Sequence, residues 1–198
     1  MHLAPLARLV LLPASLALAV PSPLWAEEDA IATAMAAADA AYQAGDLKTA
    51  AAELANASRA ISARQSGLLM AQFPPAPDGW TREDTTEMVE GLELMGGGVG
   101  AEATYTDAAG MTVTLSAFAD NLMVQSFAPI FADSQALALM GKTVDINGVT
   151  FLEQEGLNTL ALLDDRVLLQ AAGEAAQAQA LLAQIDLDAL AAFDATDR

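Results

Sequence analysis

Any chemistry performed by this chain falls to carboxylates, hydroxyls, lysine or tyrosine. The sequence contains no cysteine, and its single histidine is His2, inside a segment read below as a removable leader. Without thiolate or imidazole there is no Ser-His-Asp triad, no cysteine nucleophile and no His-based zinc, copper or haem site. Paired carboxylates of the kind used for general acid–base work do occur, as Asp164-Asp165 and as Glu153 with Glu155. In a chain with 26 acidic residues such pairs arise by chance, and Asp164-Asp165 reads more simply as a turn. Met95-Gly96-Gly97-Gly98-Val99-Gly100 is glycine-rich, yet it lacks the Lys and Ser/Thr of a phosphate-binding loop and the full spacing of a dinucleotide fingerprint. Gly141-Lys142-Thr143 matches only the end of such a loop, because Ala136 stands where the first glycine is required. No Asp-x-Asp-x-Asp-Gly calcium loop, Gly-x-Ser-x-Gly elbow or Ser-x-x-Lys motif is present. The residues name no catalytic group, no cofactor-binding group and no metal ligand, and the expectation is a protein that is not an enzyme.

Charge points the same way. Eight basic residues stand against the 26 acidic ones, for a net charge of −18. Such a surface repels nucleic acid and anionic lipid, and favours cationic partners or plain solubility. The hydrophobic share of 54% is swollen by alanine, so it signals helix more than a large core.

The elements that hold these residues are best defined over Lys142 to Ala171. Val144 and Ile146 alternate with polar residues, Asn147-Gly148 follows, and Val149 and Phe151 alternate again. Asn-Gly between two such runs is a strong hairpin signal, because a type I′ turn needs positive φ at both central residues. Two further β-type runs, Thr159 to Leu163 and Arg166 to Ala171, flank the polar break Asp164-Asp165. The reading is a three- or four-stranded antiparallel meander that needs helices to cover it. Upstream, Ala101 to Thr106 and Met111 to Ala119 form a second hairpin, with Met111, Val113, Leu115 and Ala117 on its buried face and Thr112, Thr114 and Ser116 on its wetter one. Thr81 to Met95 allows strand or short helix, with a strand ending near Glu90 preferred. Asp120 or Asn121 caps a helix in which Leu122, Met123, Phe127, Ile130 and Phe131 recur at helical spacing, with Pro129 marking a kink or break. A second piece runs from Ser134 to Met140, and helices over Gly173 to Gln184 and Ile185 to Phe193 close the chain.

The N-terminal part reads differently. Arg8 and the apolar run Leu9 to Val20, ended by Pro21-Ser22-Pro23-Leu24-Trp25-Ala26, form a signal peptide over 1–26 with cleavage between Ala26 and Glu27. A periplasmic location follows, with no stable membrane insertion after cleavage. Glu27 to Arg64 is almost unbroken helix former, interrupted at Ala44-Gly45-Asp46. Gly45 fits a left-handed C-cap and Asp46 an N-cap, which gives an αα-hairpin over 27–72. Phe73-Pro74-Pro75-Ala76-Pro77-Asp78-Gly79-Trp80 forbids helix and makes a linker, a ligand motif for a proline-recognising domain, or a strap docked by Phe73 and Trp80.

Ala37 to Ile61, with Tyr42, Gly45-Asp46-Leu47, Ala50 and Leu54, resembles one tetratricopeptide repeat. A lone repeat cannot build the concave surface of an array. The hairpin is therefore either packed on its own domain, used for dimerisation, or partner-binding through Tyr42, Asp46 and Lys48. From Phe73 to Phe193 the order strands, helix, meander, helix, together with the Phe-Pro-Pro…Gly-Trp approach and the Asn-Gly hairpin, resembles the PsbP/Mog1-type α/β/α sandwich. That resemblance implies an α+β fold over 73–193 and a non-catalytic accessory role, with 194–198 a frayed tail. The functional expectation is an accessory or binding protein acting on an unknown, possibly cationic, envelope protein. The alternative is a small apolar ligand- or lipid-binding module, its pocket between sheet and helix lined by Trp80, Met123 and Phe127.

Overall fold

A computed structural model describes residues 23–85, 91–92, 97–154 and 158–195. The expected leader lies outside the described residues as far as residue 22, and of its cleavage pair, Ala26 and Glu27, only the helical backbone is described. The frayed tail expected from residue 194 is described only to residue 195.

The first two elements are the helices α1 (Pro23–Gln43) and α2 (Leu47–Met70). Gly45 separates them with φ 78°, a conformation that costs glycine nothing and other residues much. Asp46 caps α2: its carboxylate accepts from the Thr49 amide at 3.0 Å and from the Thr49 hydroxyl at 2.7 Å. Ala38 of α1 and Ala50 and Ala57 of α2 are buried, and the small side chains let the two backbones approach closely. α2 ends at Met70, within the hairpin expected over 27–72, and its last turn joins the domain core through Leu69, with Phe73 just beyond.

The strap then crosses to β1 (Trp80–Thr85); the expected continuation of this strand toward Glu90 lies outside the described residues. The strap is held by hydrogen bonds as well as by aromatics. The Tyr105 hydroxyl donates to the Pro74 carbonyl at 2.6 Å, and the Arg82 guanidinium donates to the carbonyls of Phe73 and Pro74 at 2.9 and 3.0 Å. These bonds answer the backbone acceptors that a proline-rich segment cannot pair in a ladder.

Among the described residues, the elements that follow are β2 (Val99–Asp107), β3 (Thr112–Ala119), α3 (Leu122–Phe131), α4 (Ser134–Met140), β4 (Lys142–Ile146), β5 (Val149–Glu153), β6 (Asn158–Leu163), β7 (Val167–Gly173), α5 (Ala175–Leu182) and α6 (Leu187–Ala191). All seven strands form one antiparallel sheet in the order β1-β2-β3-β7-β6-β5-β4. The fold is α+β, with helices on both faces of the sheet. The Asn147-Gly148 turn has the expected positive φ, 53° and 82°. Asp164 and Asp165 make the equivalent turn without glycine, at 49° and 53°, using the tolerance of Asp for the left-handed region.

Strand parity sorts the core into two layers. One face carries Tyr105, Val113, Leu115, Phe151, Ala161, Val167 and Leu169, and is covered by the end of α2 and by α5 and α6. The other carries Leu152, Leu160 and Leu168, covered by Val124 of α3 and Leu137 of α4. Beyond α3 and α4, that second face is polar over β2 and β3, where Ser116 donates to Glu102 at 2.9 Å and Thr104 pairs with Thr114 at 3.2 Å. α3 corrects one expectation: Leu122 is 76% exposed and Met123 also faces solvent, whereas Val124 is buried. A ten-residue helix this rich in apolar side chains has more of them than one contact stripe can cover. Pro129 sits inside the helix, which ends two residues later.

Candidate functional site

Among the described residues, six of the eleven exposed large hydrophobic side chains lie on the hairpin. Leu47, Leu54, Ile61 and Leu68 of α2 recur every seven residues, and all four are exposed, by 65, 59, 44 and 37%. Met35 and Tyr42 of α1, again seven apart, are 55 and 64% exposed. A seven-residue apolar period is the coiled-coil period, close enough to two helical turns to keep one stripe facing one partner. The intervening positions Ala38, Ala50 and Ala57 are buried. Three alanines thus take the buried positions of the hairpin, while Met35, Tyr42, Leu47, Leu54, Ile61 and Leu68 stand exposed.

Two clefts take in residues of this seam. Near the tip, Met35, Ala38, Asp39, Tyr42, Ala50 and Leu54 line one of about 270 Å³. Toward the domain, Ile31, Ile61, Arg64, Gln65, Leu68 and Phe193 line part of a second of about 380 Å³. The floor of the second is fixed by an ion-pair clasp. Arg166, in the β6–β7 turn, donates to both carboxylate oxygens of Asp120 at 2.9 and 2.7 Å and to both of Asp194 at 2.8 and 2.7 Å. Its guanidinium also lies 5.0 Å from the Phe193 ring centroid. Gln65 of α2 completes the clasp by donating to Asp194 at 2.9 Å. Hydrogen bonds from Arg166 hold the Asp194 carboxyl down at about 2, outweighing its partial burial. Those same bonds raise Arg166 above its ordinary value.

The expected partner-binding residues are divided by the structure. Tyr42 lies in the tip cleft. Asp46 is occupied as the α2 cap, and its hydrogen bonds to Thr49 lower its carboxyl below the usual range. Lys48 is exposed in the first turn of α2. The expected pocket residues are not brought together: Trp80 packs against the core face covered by α2, whereas Phe127 packs on the opposite face and Met123 points outward. Trp80 is paired with Asp107 and two residues from Arg82, which fixes it to the Tyr105 face. A cleft of about 360 Å³ does lie between the sheet and α3 with α4, but Phe131, Leu137, Val149, Thr150, Leu162 and Asp164 line it. Met35, Ile61 and Leu68 were missed by the reading of residues, although the spacing Leu47, Leu54, Ile61, Leu68 was open to view.

Among the described residues no group of three or more His, Cys, Asp or Glu is placed to hold a metal ion, and no helix is long and apolar enough to cross a membrane. Among the described residues, the buried side-chain polar atoms without a hydrogen-bond partner are Asn121 Nδ2 and Gln177 Oε1, both outside the hairpin. Comparison with known proteins finds no family model, no curated protein and no solved structure that matches this chain.

Proposed function

We propose that the protein is a non-catalytic accessory or binding protein that acts through protein contacts made by the α1–α2 hairpin. The observation that carries this reading is the outward seam of Met35, Tyr42, Leu54, Ile61 and Leu68. A soluble surface spreads its apolar residues singly, whereas a contiguous stripe of this period marks a surface that meets another helix. The absence of cysteine, and of histidine after His2, supports a role outside catalysis. The leader-like segment 1–26 supports action in the periplasm after cleavage between Ala26 and Glu27.

The test is crosslinking in cells with a photoreactive residue at Tyr42 or Leu54, followed by purification of the envelope fraction. A defined protein adduct at the seam, lost when the reactive residue is moved to Leu139 on α4, is the expected result. Absence of any adduct, including one between two copies, overturns the reading. The mature N-terminus is read from the same sample, and a peptide that begins upstream of Glu27 removes the cleavage claim.

A second reading is favoured by the cleft between the sheet and the α3–α4 pair, where Phe131, Leu137 and Leu162 present apolar surface. It is a small apolar ligand- or lipid-binding module. A bound small molecule in native mass spectrometry, or a rise in melting temperature with an apolar ligand panel, distinguishes it.

A further inference from the structure

We propose that the hairpin seam pairs with the same seam on a second copy of this chain, so that two α1–α2 hairpins close into a four-helix bundle. This deepens the protein-contact reading and rests on it. Three observations select a second copy over another partner.

The first is electrostatic. Residues 30–72 carry Asp39, Asp46 and Glu53 against Lys48, Arg59 and Arg64, and are neutral overall. Residues 73–195 carry 19 acidic and three basic side chains. Two molecules of net charge −18 repel across almost any approach. The hairpin beyond Glu27, Glu28 and Asp29 is the part of the surface where a second copy comes close without juxtaposing like charges. A cationic partner, by contrast, is drawn to the acidic domain and not to this neutral, apolar stripe.

The second is geometric. The seam occurs on both helices of the hairpin, with Met35 and Tyr42 on α1 and Leu47, Leu54, Ile61 and Leu68 on α2. A lone docked helix covers one groove. A two-helix surface with a large side chain every seventh residue on each helix matches another surface of the same kind, which is the self-complementarity that a two-fold interface requires. Isologous pairing also lets the outward residues of one hairpin fill the tip and base clefts of the other.

The third is area. Six large side chains at the observed exposures leave on the order of 600 Å² of apolar side chain open on each hairpin, near the roughly 800 Å² per partner of a stable interface. Flanking polar atoms make up the remainder.

The native chain has no cysteine, so a single introduced thiol reports one surface. The experiment uses the purified full chain carrying Leu54→Cys, with Leu139→Cys on the far side of the sheet as the collision control. Sedimentation velocity of the unsubstituted chain is run alongside. The expected result is twice the monomer mass in solution, rapid disulfide-linked dimer from Leu54→Cys under mild oxidation, and none from Leu139→Cys. Leu54→Glu with Ile61→Glu weakens self-association by about a hundredfold or more while far-UV circular dichroism stays unchanged. Because both positions are already exposed in one copy, the folded monomer tolerates the change.

Three outcomes overturn the proposal. A monomer whose Leu54→Cys thiol reacts slowly with maleimide shows the seam covered by the chain's own preceding segment. A monomer with a fast-reacting thiol and a photoadduct to a different polypeptide in the envelope removes the second copy but leaves the protein-contact reading standing. A monomer with a fast-reacting thiol and no adduct of any kind removes both.

Discussion

Replacing Arg166 by Gln tests whether the clasp under the hairpin is an electrostatic unit. Four N–H groups of the guanidinium are engaged, two on each of two carboxylates, and the group is one-third exposed. Asp194 is 21% exposed and its carboxyl is held at about 2 against an ordinary 3.8. A shift of that size corresponds to about 2 kcal/mol, which partial solvent exposure reduces to about 1–2 kcal/mol. Asp120 is more open, and its pair with Arg166 contributes about 0.5 kcal/mol. Loss of the contact with the Phe193 ring adds about 0.5 kcal/mol. Arg166→Gln is therefore expected to cost about 2–3 kcal/mol at pH 7, or roughly 5–10 °C in Tm for a chain of this size.

The pH dependence identifies the cause. The folded value of Asp194 lies below the unfolded one, so its contribution is present in full above about pH 4 and is lost as pH falls through about 2. Thermal melts of both proteins at pH 7, 4, 3 and 2 should show the deficit of the variant shrinking over the lowest two steps. A deficit under 2 °C at pH 7 would refute the magnitude. A deficit that stays constant to pH 2 would refute the electrostatic origin and leave only lost packing.

Other expectations follow from single contacts. Burial pushes the Tyr105 phenol up to about 12, so its stabilising contribution is present below about pH 10 and lost as pH rises toward 12. Tyr105→Phe should abolish that alkaline loss in a urea titration while costing about 1 kcal/mol at pH 7, since Arg82 still donates to the Pro74 carbonyl. Gly141→Ala places a Cβ 2.5 Å from the Glu153 carbonyl oxygen, a backbone atom that cannot swing aside. A loss of about 2 kcal/mol or more is expected, read as a shifted urea midpoint. Phe151→Ala empties a fully buried site in the layer under α5 and should cost about 3–5 kcal/mol.

The sequence made the local elements legible and left the long-range choices dark. Asn147-Gly148 and Asp164-Asp165 announced their turns because the constraint is on the φ of two adjacent residues. Gly45-Asp46 announced the hairpin for the same reason. The pairing of β3 with β7 was not readable, because Leu115 opposite Ala171 is decided by which strands meet, not by either strand alone. Strand parity also separated Trp80 from Phe127, two aromatics that composition alone would put in one pocket. The seam shows the converse problem. A seven-residue spacing from Leu47 to Leu68 is visible in the letters, but spacing does not say whether a stripe faces a core or the solvent. Here Ala38, Ala50 and Ala57 had already taken the inward positions.

The strand order carries a consequence for how the chain is put together. The meander β1-β2-β3 and the meander β4-β5-β6-β7 are each contiguous in sequence, and they touch within the sheet along one pair of strands, Val113 to Ala119 against Val167 to Gly173. The hairpins β2–β3, β4–β5 and β6–β7 close short loops, whereas the β3–β7 pairing joins residues far apart in the chain and is the slower contact to find. The junction between the halves falls in the short link between α3 and α4, at Ala132-Asp133. A chain divided there supplies two pieces, each with its own hairpins and its own helix to cover them. The β3–β7 ladder is a ready zipper between the pieces, so this protein is suited to reassemble from separately made fragments.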